Sequence, residues 1–284
     1  MTGHAAPAGM PTARVLLARH GLSPKKSLGQ NFLVDPRVQE RIVAAVGLGS
    51  EDVVVEIGAG LGALTARLCD AAKRVIAIDR DPRLVEVLRA ELGGRRNLEI
   101  VPADALEYDL GRAAAEAGRA LVVVGNLPYV VTSPLLFFIL EAAAGGNAID
   151  RAVLMVQKEF AQRMLAPPGS RVYGRLSVMA QQAAEAEILF HVGPGAFLPP
   201  PAVTSSVLRL RPRAAPLAPV QDAEVFARVV REAFGTRRKM LRRALEPAFG
   251  ERAAAALAAA NIDGTRRAEE LSVADFARLA NALT

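Results

Sequence analysis

Residues 53–62 read VVVEIGAGLG and decide the fold, because a run of apolar residues passes directly into a glycine-rich loop. Continuous apolar runs of this kind are typical of strands that are buried on both faces by helices. Glycines after such a strand let the backbone turn tightly and approach a ligand at the carboxyl end of the sheet. The stretch therefore predicts the first strand of an open α/β sheet, followed by a ligand-binding loop.

Short apolar runs alternate with helical patterns from about residue 52 to residue 157, as in βαβ units with a parallel sheet. Two further β-rich segments follow. The strand candidates are residues 53–57, 74–79, 98–101, 121–125, 152–157, 186–192 and 203–210. Seven strands with a late hairpin predict one doubly wound, Rossmann-like α/β sheet.

The Pro-rich segment 211–219 (RPRAAPLAP) breaks every period and predicts a domain boundary. We predict a flexible N-terminal tail over residues 1–13, a principal domain over 14–213 and a small all-helical domain over 214–284. The last region carries amphipathic helical patterns over residues 222–234, 237–245, 251–260 and 273–283.

Composition excludes several classes of protein. Cys69 is the only cysteine among 284 residues, so an internal disulfide and a cysteine-based metal site are excluded. The scattered histidines predict no metal site, and no apolar run approaches the ~18 residues of a membrane span. We expect a cytoplasmic protein. The net charge of +6 favours an acidic partner such as nucleic acid only modestly, because the excess is almost all arginine.

Acidic residues follow the next two predicted strands. Asp79 lies 21 residues after Gly58, where a carboxylate can accept hydrogen bonds from both ribose hydroxyls of a nucleoside. Asp104, after the third strand, is well placed for an adenine edge. The loop also matches the relaxed dinucleotide pattern G-x-G-x-x-A through Gly58, Gly60 and Ala63. The loop and Asp79 therefore leave open an NAD site, another nucleoside-bearing cofactor, and glycines that serve only a tight turn.

The fourth strand ends in Asn126-Leu127-Pro128-Tyr129. The Asn126 side-chain oxygen and the Leu127 carbonyl can both accept hydrogen bonds from an exocyclic amine. Pro128 stiffens the turn, and Tyr129 offers a face on which a base can stack. A hydride-transfer enzyme does not need this arrangement. The alternative is a strand-to-helix turn in which the tyrosine only packs against its neighbours.

With these motifs in view, the chain resembles the rRNA adenine dimethyltransferases of the small ribosomal subunit from about residue 14 to residue 275. The motifs are LGQNFL (28–33), EIGAGLG (56–62), AID (77–79), DAL (104–106), NLPY (126–129), QKEFAQRM (157–164), YGRLSV (173–178), FLPPPAVTSSV (197–207) and FGTRRKMLRRAL (234–245). The resemblance implies a class I methyltransferase fold. It also implies transfer of methyl groups from S-adenosylmethionine to N6 of two adjacent adenines in the 3′-terminal hairpin loop of 16S rRNA, giving N6,N6-dimethyladenosine and S-adenosylhomocysteine.

The resemblance also implies the site residues. Those for the cofactor are Gln30, Asn31, Leu33, Glu56, Gly58, Gly60, Asp79, Arg80, Asp104, Ala105 and Asn126. Those for the target adenine are Asn126, Leu127, Pro128, Tyr129 and Phe197, with Phe197 as the second wall of the base slot. Relatives usually carry Glu in place of Asp79 and Asp in place of Thr204, so we assign no role to Thr204.

Basic clusters indicate where RNA phosphates bind. They comprise Lys25, Lys26, Arg237, Arg238, Lys239, Arg242 and Arg243. Helical spacing predicts Arg238 and Arg242 on one face, with Lys239 and Arg243 beside them. A solvated helix face is the alternative.

The expected partner is small-subunit rRNA within a 30S precursor particle, and we expect a monomer that acts in ribosome biogenesis. Three alternatives stay open at this point. They are an assembly factor in which RNA binding matters more than catalysis, a large-subunit rRNA adenine methylase, and an NAD-dependent oxidoreductase.

Overall fold

A computed structural model describes residues 10–25, 28–128, 131–144, 148–236 and 239–284. The strands are β1 (Phe32–Leu33), β2 (Val53–Ile57), β3 (Arg74–Asp79), β4 (Leu98–Pro102), β5 (Leu121–Asn126), β6 (Ile149–Gln157), β7 (Ala184–Val192), β8 (Phe197–Leu198) and β9 (Ser205–Pro212). The helices are α1 (Ala13–Arg19), α2 (Pro36–Val46), α3 (Ala63–Ala71), α4 (Pro82–Leu92), α5 (Leu110–Ala117), α6 (Thr132–Ala144), α7 (Lys158–Met164), α8 (Arg175–Ala183), α9 (Ala223–Gly235), α10 (Leu241–Phe249), α11 (Arg252–Ala259) and α12 (Val273–Asn281).

Seven of these strands form one sheet in the order β4-β3-β2-β5-β6-β9-β7, which confirms the predicted Rossmann-like α/β class. The first five strands in this order, β4 to β6, pair in parallel with one another. The next strand, β9, pairs antiparallel with β6. All five residues of β2 are buried, as its continuous apolar sequence requires. From β2 the chain builds outward to β4 on one side and later to β6 on the other. Ligands bind at such a topological switch point, here the carboxyl ends of β2 and β5.

A separate antiparallel pair joins β1 to β8, and sequence analysis predicted neither strand. Phe32 lies opposite Leu198 and Leu33 opposite Phe197. Strands of two residues carry no readable period, so only the long-range pairing defines them. This pairing places the LGQNFL segment beside the carboxyl ends of the sheet.

The chain divides into two compact units. One contains the described residues up to Lys158 together with Glu187–Arg211, and the other contains Glu159–Ala186 and Pro212–Thr284. Sequence analysis assigned residues 159–186 to the first domain, whereas in the structure they belong to the second unit. The domain boundary at residues 213 and 214 stays a prediction.

The second unit has its own apolar core, built from helices α8 to α12. Leu245, Leu271 and Phe276 are fully buried in it. Phe234 packs against Phe276 at 5.6 Å between ring centroids and against Tyr173, edge-on, at 6.0 Å. The core that contains the predicted C-terminal helices therefore also includes residues from 159–186, such as Tyr173 and Val178.

One helix boundary in this unit corrects the sequence analysis. The predicted helix over residues 237–245 begins instead at Leu241, after Met240 as N-cap. Lys239 therefore precedes α10 and shares no helix face with Arg243. The backbone N–H groups of Leu241 and Arg242 donate to the carbonyls of Arg266 and Gly264, so a long-range contact fixes where the helix starts.

In the described parts of the chain, no helix is both long and apolar enough to span a membrane.

Candidate active site

A cavity of about 330 Å³ opens at the carboxyl ends of β2, β3 and β5, within the size range of small-molecule sites. All eleven predicted cofactor residues line it. Its lining includes Gln30, Asn31, Leu33, Glu56, Gly58, Gly60, Asp79, Arg80, Asp104, Ala105, Asn126, Leu127 and Pro128. Residues from five separate stretches of the sequence thus form one site, as the sheet order requires.

The glycine loop reverses the chain between β2 and α3. Gly58, Gly60 and Gly62 have φ of 74°, 61° and 84°, values that side-chain-bearing residues rarely adopt. A Cβ on Gly62 would lie 2.7 Å from a methyl group of Leu92, so this position is also sterically closed. The glycines therefore serve a turn of defined shape that exposes the loop backbone to the cavity.

Asp79 ends β3 and is bound to this loop. Its Oδ2 accepts a hydrogen bond from the backbone N–H of Gly60 at 2.8 Å, and its Oδ1 accepts one from the N–H of Asp81 at 2.9 Å. Burial raises the pKa of Asp79, although the two backbone hydrogen bonds oppose that effect. A carboxylate has about four acceptor positions, so each oxygen keeps one for a ribose hydroxyl.

Glu56 lies beneath the loop and is almost fully buried. Thr65 of α3 donates a hydrogen bond from Oγ1 to Glu56 Oε2 at 2.6 Å. Burial raises the pKa of Glu56 to about 8, and the nearby Asp79 carboxylate acts in the same direction. The side chain is therefore mostly neutral at pH 7 and adds little negative charge to the cavity.

Asp104 and Arg80 lie at the β4 side of the cavity. Asp104 Oδ1 caps the short helical turn at Ala105–Glu107 by accepting from the N–H of Leu106 at 3.0 Å. Asp104 Oδ2 lies 3.6 Å from Nη1 of Arg80, and both side chains are partly exposed. Ala105 is buried next to them and provides an apolar wall. A carboxylate accepts hydrogen bonds from an adenine amino group, and an apolar wall packs against the adenine ring, so this side of the cavity suits adenine.

Gln30 connects the LGQNFL segment to the sheet through Asp81. Its Nε2 donates to Asp81 Oδ2 at 2.8 Å, and its Oε1 accepts from the N–H of Lys25 at 2.8 Å. Arg83 also donates to Asp81, which lowers the pKa of Asp81 to about 2. Asp81 is also the N-cap of α4, and it is not among the predicted site residues. The contact joins residues 51 apart in the chain and has no local sequence signal.

Asn126 joins the end of β5 to the same segment. Its Nδ2 donates to the backbone carbonyl of Asn31 at 3.1 Å. This leaves Oδ1 as the acceptor of the Asn126 amide. The backbone N–H of Leu127 donates to the Met155 carbonyl at 3.0 Å and holds the following turn against β6. Tyr129, the predicted stacking residue, lies outside the described residues.

Phe197 does not reach the cavity. It is only 3% exposed and packs in the core cluster that includes Leu33, Val192 and Val207. The register of β1 with β8 sets this orientation, placing Phe197 opposite Leu33. We therefore leave Phe197 out of the residues proposed to bind the target base.

The first described residues of the chain also line the cavity. Met10, Pro11, Thr12 and Ala13 contribute to its lining, and Thr12 caps α1 by accepting from the N–H of Val15. Sequence analysis placed residues 1–13 in a flexible tail because small residues and prolines dominate there. No local sequence pattern around Met10 predicts the apolar contacts that this residue makes.

The basic residues separate into two groups. Lys25 is exposed beside the LGQNFL segment, and Lys239, Arg242 and Arg243 are exposed at the start of α10. Lys26, Arg237 and Arg238 lie outside the described residues. Among the described residues, no cluster of three or more His, Cys, Asp or Glu side chains is arranged to hold a metal ion.

Comparison of the sequence with known proteins identifies related proteins. The sequence model of the family described as "Ribosomal RNA adenine dimethylase" matches residues 21–284. A protein named "Ribosomal RNA small subunit methyltransferase A" from Methylobacterium radiotolerans is 50% identical over 281 residues, covering 96% of this chain and 93% of the relative. Its namesake from Magnetococcus marinus is 44% identical over 268 residues, covering 94% and 95% of the two chains.

Two solved structures share the fold. The 23S rRNA methyltransferase ErmE is 31% identical, with a TM-score of 0.66 over 89% of this chain and 99% of that one. A dimethyladenosine transferase from Plasmodium falciparum is 27% identical, with a TM-score of 0.70 over 87% and 95%.

Proposed function

Because this chain belongs to the ribosomal RNA adenine dimethylase family, we propose that it dimethylates N6 of two adjacent adenines in the 3′-terminal hairpin loop of small-subunit rRNA. The observation that carries the proposal is the Asn126–Asn31 hydrogen bond, which presents an amide oxygen at the mouth of a nucleoside-sized cavity. The substrate is a small-subunit precursor particle, and the enzyme acts in the cytoplasm as a monomer.

The cavity fits S-adenosylmethionine by its donor and acceptor set. Asp79 and Asp104 follow β3 and β4 in the order in which a ribose and an adenine would lie along the sheet edge. Gly58 and Gly60 line the cavity without a side chain, and their φ values of 74° and 61° give the loop a course that side-chain-bearing residues rarely adopt. When bound, this cofactor supplies a methyl group that is already activated as a sulfonium.

The residues of the chain act mainly by positioning the adenine amine. Asn126 Oδ1 and the Leu127 carbonyl accept its two hydrogens, which favours a tetrahedral nitrogen with an exposed lone pair. The same acceptors stabilise positive charge that develops on N6. Alignment rather than a general base lowers the barrier, and the proton leaves to water. Tyr129 stacks on the base, which must be unpaired or flipped to reach the site.

Phosphates of the RNA bind the basic residues of two sequence groups. Lys25 and Lys26 precede the LGQNFL segment in the sequence, and the second group comprises Arg237, Arg238, Lys239, Arg242 and Arg243. Such contacts position the RNA without reading its sequence.

The test is transfer of tritium from labelled S-adenosylmethionine to small-subunit particles that lack the modification, with methylated particles as the control. We expect label only on the unmodified particles, recovered as N6,N6-dimethyladenosine near the 3′ end. Cofactor binding without transfer would contradict the proposed activity.

Large-subunit RNA is the second candidate substrate, because the 23S rRNA methyltransferase ErmE shares 31% identity with this chain. Relatives named for the small subunit are more similar, at 44–50% identity. Adding unmodified large-subunit RNA to the labelling experiment decides between the two substrates.

A further inference from the structure

Two arginines line the cavity in the described part of the chain, and they lie on different sides of it. Arg80 follows β3 and faces Asp104, which follows β4. Arg67 belongs to α3 and contacts α2 instead. The sequence motifs named no role for Arg67.

Arg67 is fixed by two side chains of α2. Its Nε donates to Gln39 Oε1 at 3.2 Å, and its Nη1 donates to Glu40 Oε1 at 3.2 Å. Gln39 in turn donates from Nε2 to the backbone carbonyl of Leu33 at 3.0 Å. The guanidinium is thus tied to the LGQNFL segment through one intermediate side chain.

The charge of Arg67 is weakly compensated. Its side chain is 12% exposed, whereas that of Glu40 is 54% exposed, and ion pairs with an exposed partner contribute little. Within the described residues, Nη2 of Arg67 donates no hydrogen bond. A largely buried guanidinium with a remaining donor on a cavity wall suits an anionic ligand group, since paired charges are favoured where water is excluded.

The position of Arg67 in the cavity indicates which anionic group of the ligand it contacts. Asp79 and Asp104 occupy the β3 and β4 side, where the nucleoside part fits. Leu33 and Asn31 lie on the other side, because Asn31 is bonded to Asn126 at the end of β5. Arg67 is linked to Leu33 and therefore belongs to the end of the cavity opposite the nucleoside.

We infer that Arg67 binds the carboxylate of the amino-acid end of S-adenosylmethionine; this rests on the proposed function. A guanidinium donates to a carboxylate through charge-assisted hydrogen bonds, which are stronger than neutral ones. Gln39 and Glu40 hold the donor in place before the ligand binds. Arg67 is then a cofactor-binding residue, whereas Gln39 is a positioning residue.

The test compares two ligands that differ only in this group, S-adenosylmethionine and its decarboxylated form, by titration calorimetry on the full chain. We expect the unsubstituted protein to bind the carboxylate-bearing ligand more tightly, by about tenfold or more. In Arg67→Met this preference disappears, because only the affinity for S-adenosylmethionine falls. Arg67→Lys keeps the charge and retains part of the preference.

Arg80→Met is the matched control, because it removes the same charge from the other side of the cavity. We expect it to change the affinities for both ligands by the same factor. Arg67→Met losing both affinities equally would assign Arg67 a purely structural role and overturn the inference, as would an unchanged preference. Failure of the unsubstituted protein to bind S-adenosylmethionine would overturn the proposed function instead.

Discussion

Asn126 donates a hydrogen bond from Nδ2 to the backbone carbonyl of Asn31, and the two residues lie 95 positions apart in the chain. The bond connects the end of β5 to the segment that follows α1. It also determines the orientation of the Asn126 amide, because the nitrogen is occupied and the oxygen remains as acceptor. A side chain that serves the reaction is therefore oriented by a backbone group from a distant stretch of sequence.

Asn126→Ala tests this relationship. We expect methyl transfer to fall by about 10²–10³-fold, the loss typical of removing one positioned polar group from a reacting centre. Labelled transfer to unmodified small-subunit particles measures the effect. Asn97→Ala is the matched control, because the Asn97 amide also binds backbone carbonyls, those of Cys69 and Ala72, but not at the cavity. Equal losses in both variants would contradict the proposed role of Asn126.

Glu56→Gln tests the buried carboxyl group. Since the pKa of Glu56 rises from 4.5 to about 8 on folding, the folded chain holds a proton that the unfolded chain has released between those pH values. The contribution of Glu56 to the free energy of unfolding therefore falls as the pH rises through this window. Glutamine does not titrate, so we expect the variant to gain stability relative to the unsubstituted protein from pH 5 to pH 8.

The upper limit of this gain is about 1.4 kcal/mol per pH unit. Guanidinium unfolding at several pH values measures it. Glu51→Gln serves as the control, because Glu51 is exposed and Lys73 lowers its pKa, so its titration acts below this window. A stability difference for Glu56→Gln that stays constant with pH would show that Glu56 is ionised in the folded protein.

Asp81→Ala separates helix capping from cofactor binding. Asp81 caps α4 and also holds Gln30, whereas Asp222 caps α9 in the second unit. We expect Asp81→Ala and Asp222→Ala each to reduce the free energy of unfolding by about 1 kcal/mol. Only Asp81→Ala should also weaken S-adenosylmethionine binding, measured by calorimetry. Unchanged affinity in that variant would show that Gln30 does not depend on Asp81.

Replacing Arg242 and Arg243 together by alanine tests the basic surface at α10. Both side chains are exposed, so we expect normal stability but weaker binding to small-subunit particles. The dependence of log K on log salt should become shallower by about 2, one for each lost phosphate contact. Arg112→Ala, which removes an exposed arginine paired with Glu116, is the control. An unchanged salt slope in the double variant would mean that α10 does not contact RNA.

Much of the fold follows from local sequence. The apolar run of β2, the glycines after it and the alternation of strands with helices are local patterns, and each predicted strand of the large sheet is present. The positions of Gly58, Asp79, Asp104 and Asn126 after successive strands sufficed to place them at one edge. This works because parallel strands end on the same side of a sheet.

Other features depend on contacts between distant residues, which leave no periodic trace in the sequence. Phe197 is buried by the pairing of β8 with β1, and α10 starts at Leu241 because Arg266 and Gly264 accept its first N–H groups. Sequence alone identified most of the polar groups that gather at the cavity, but not Arg67 or the second role of Asp81. Tertiary structure decided how they are oriented, through Asn31 on Asn126 and Asp81 on Gln30, since hydrogen bonds between remote segments form only once the chain is packed.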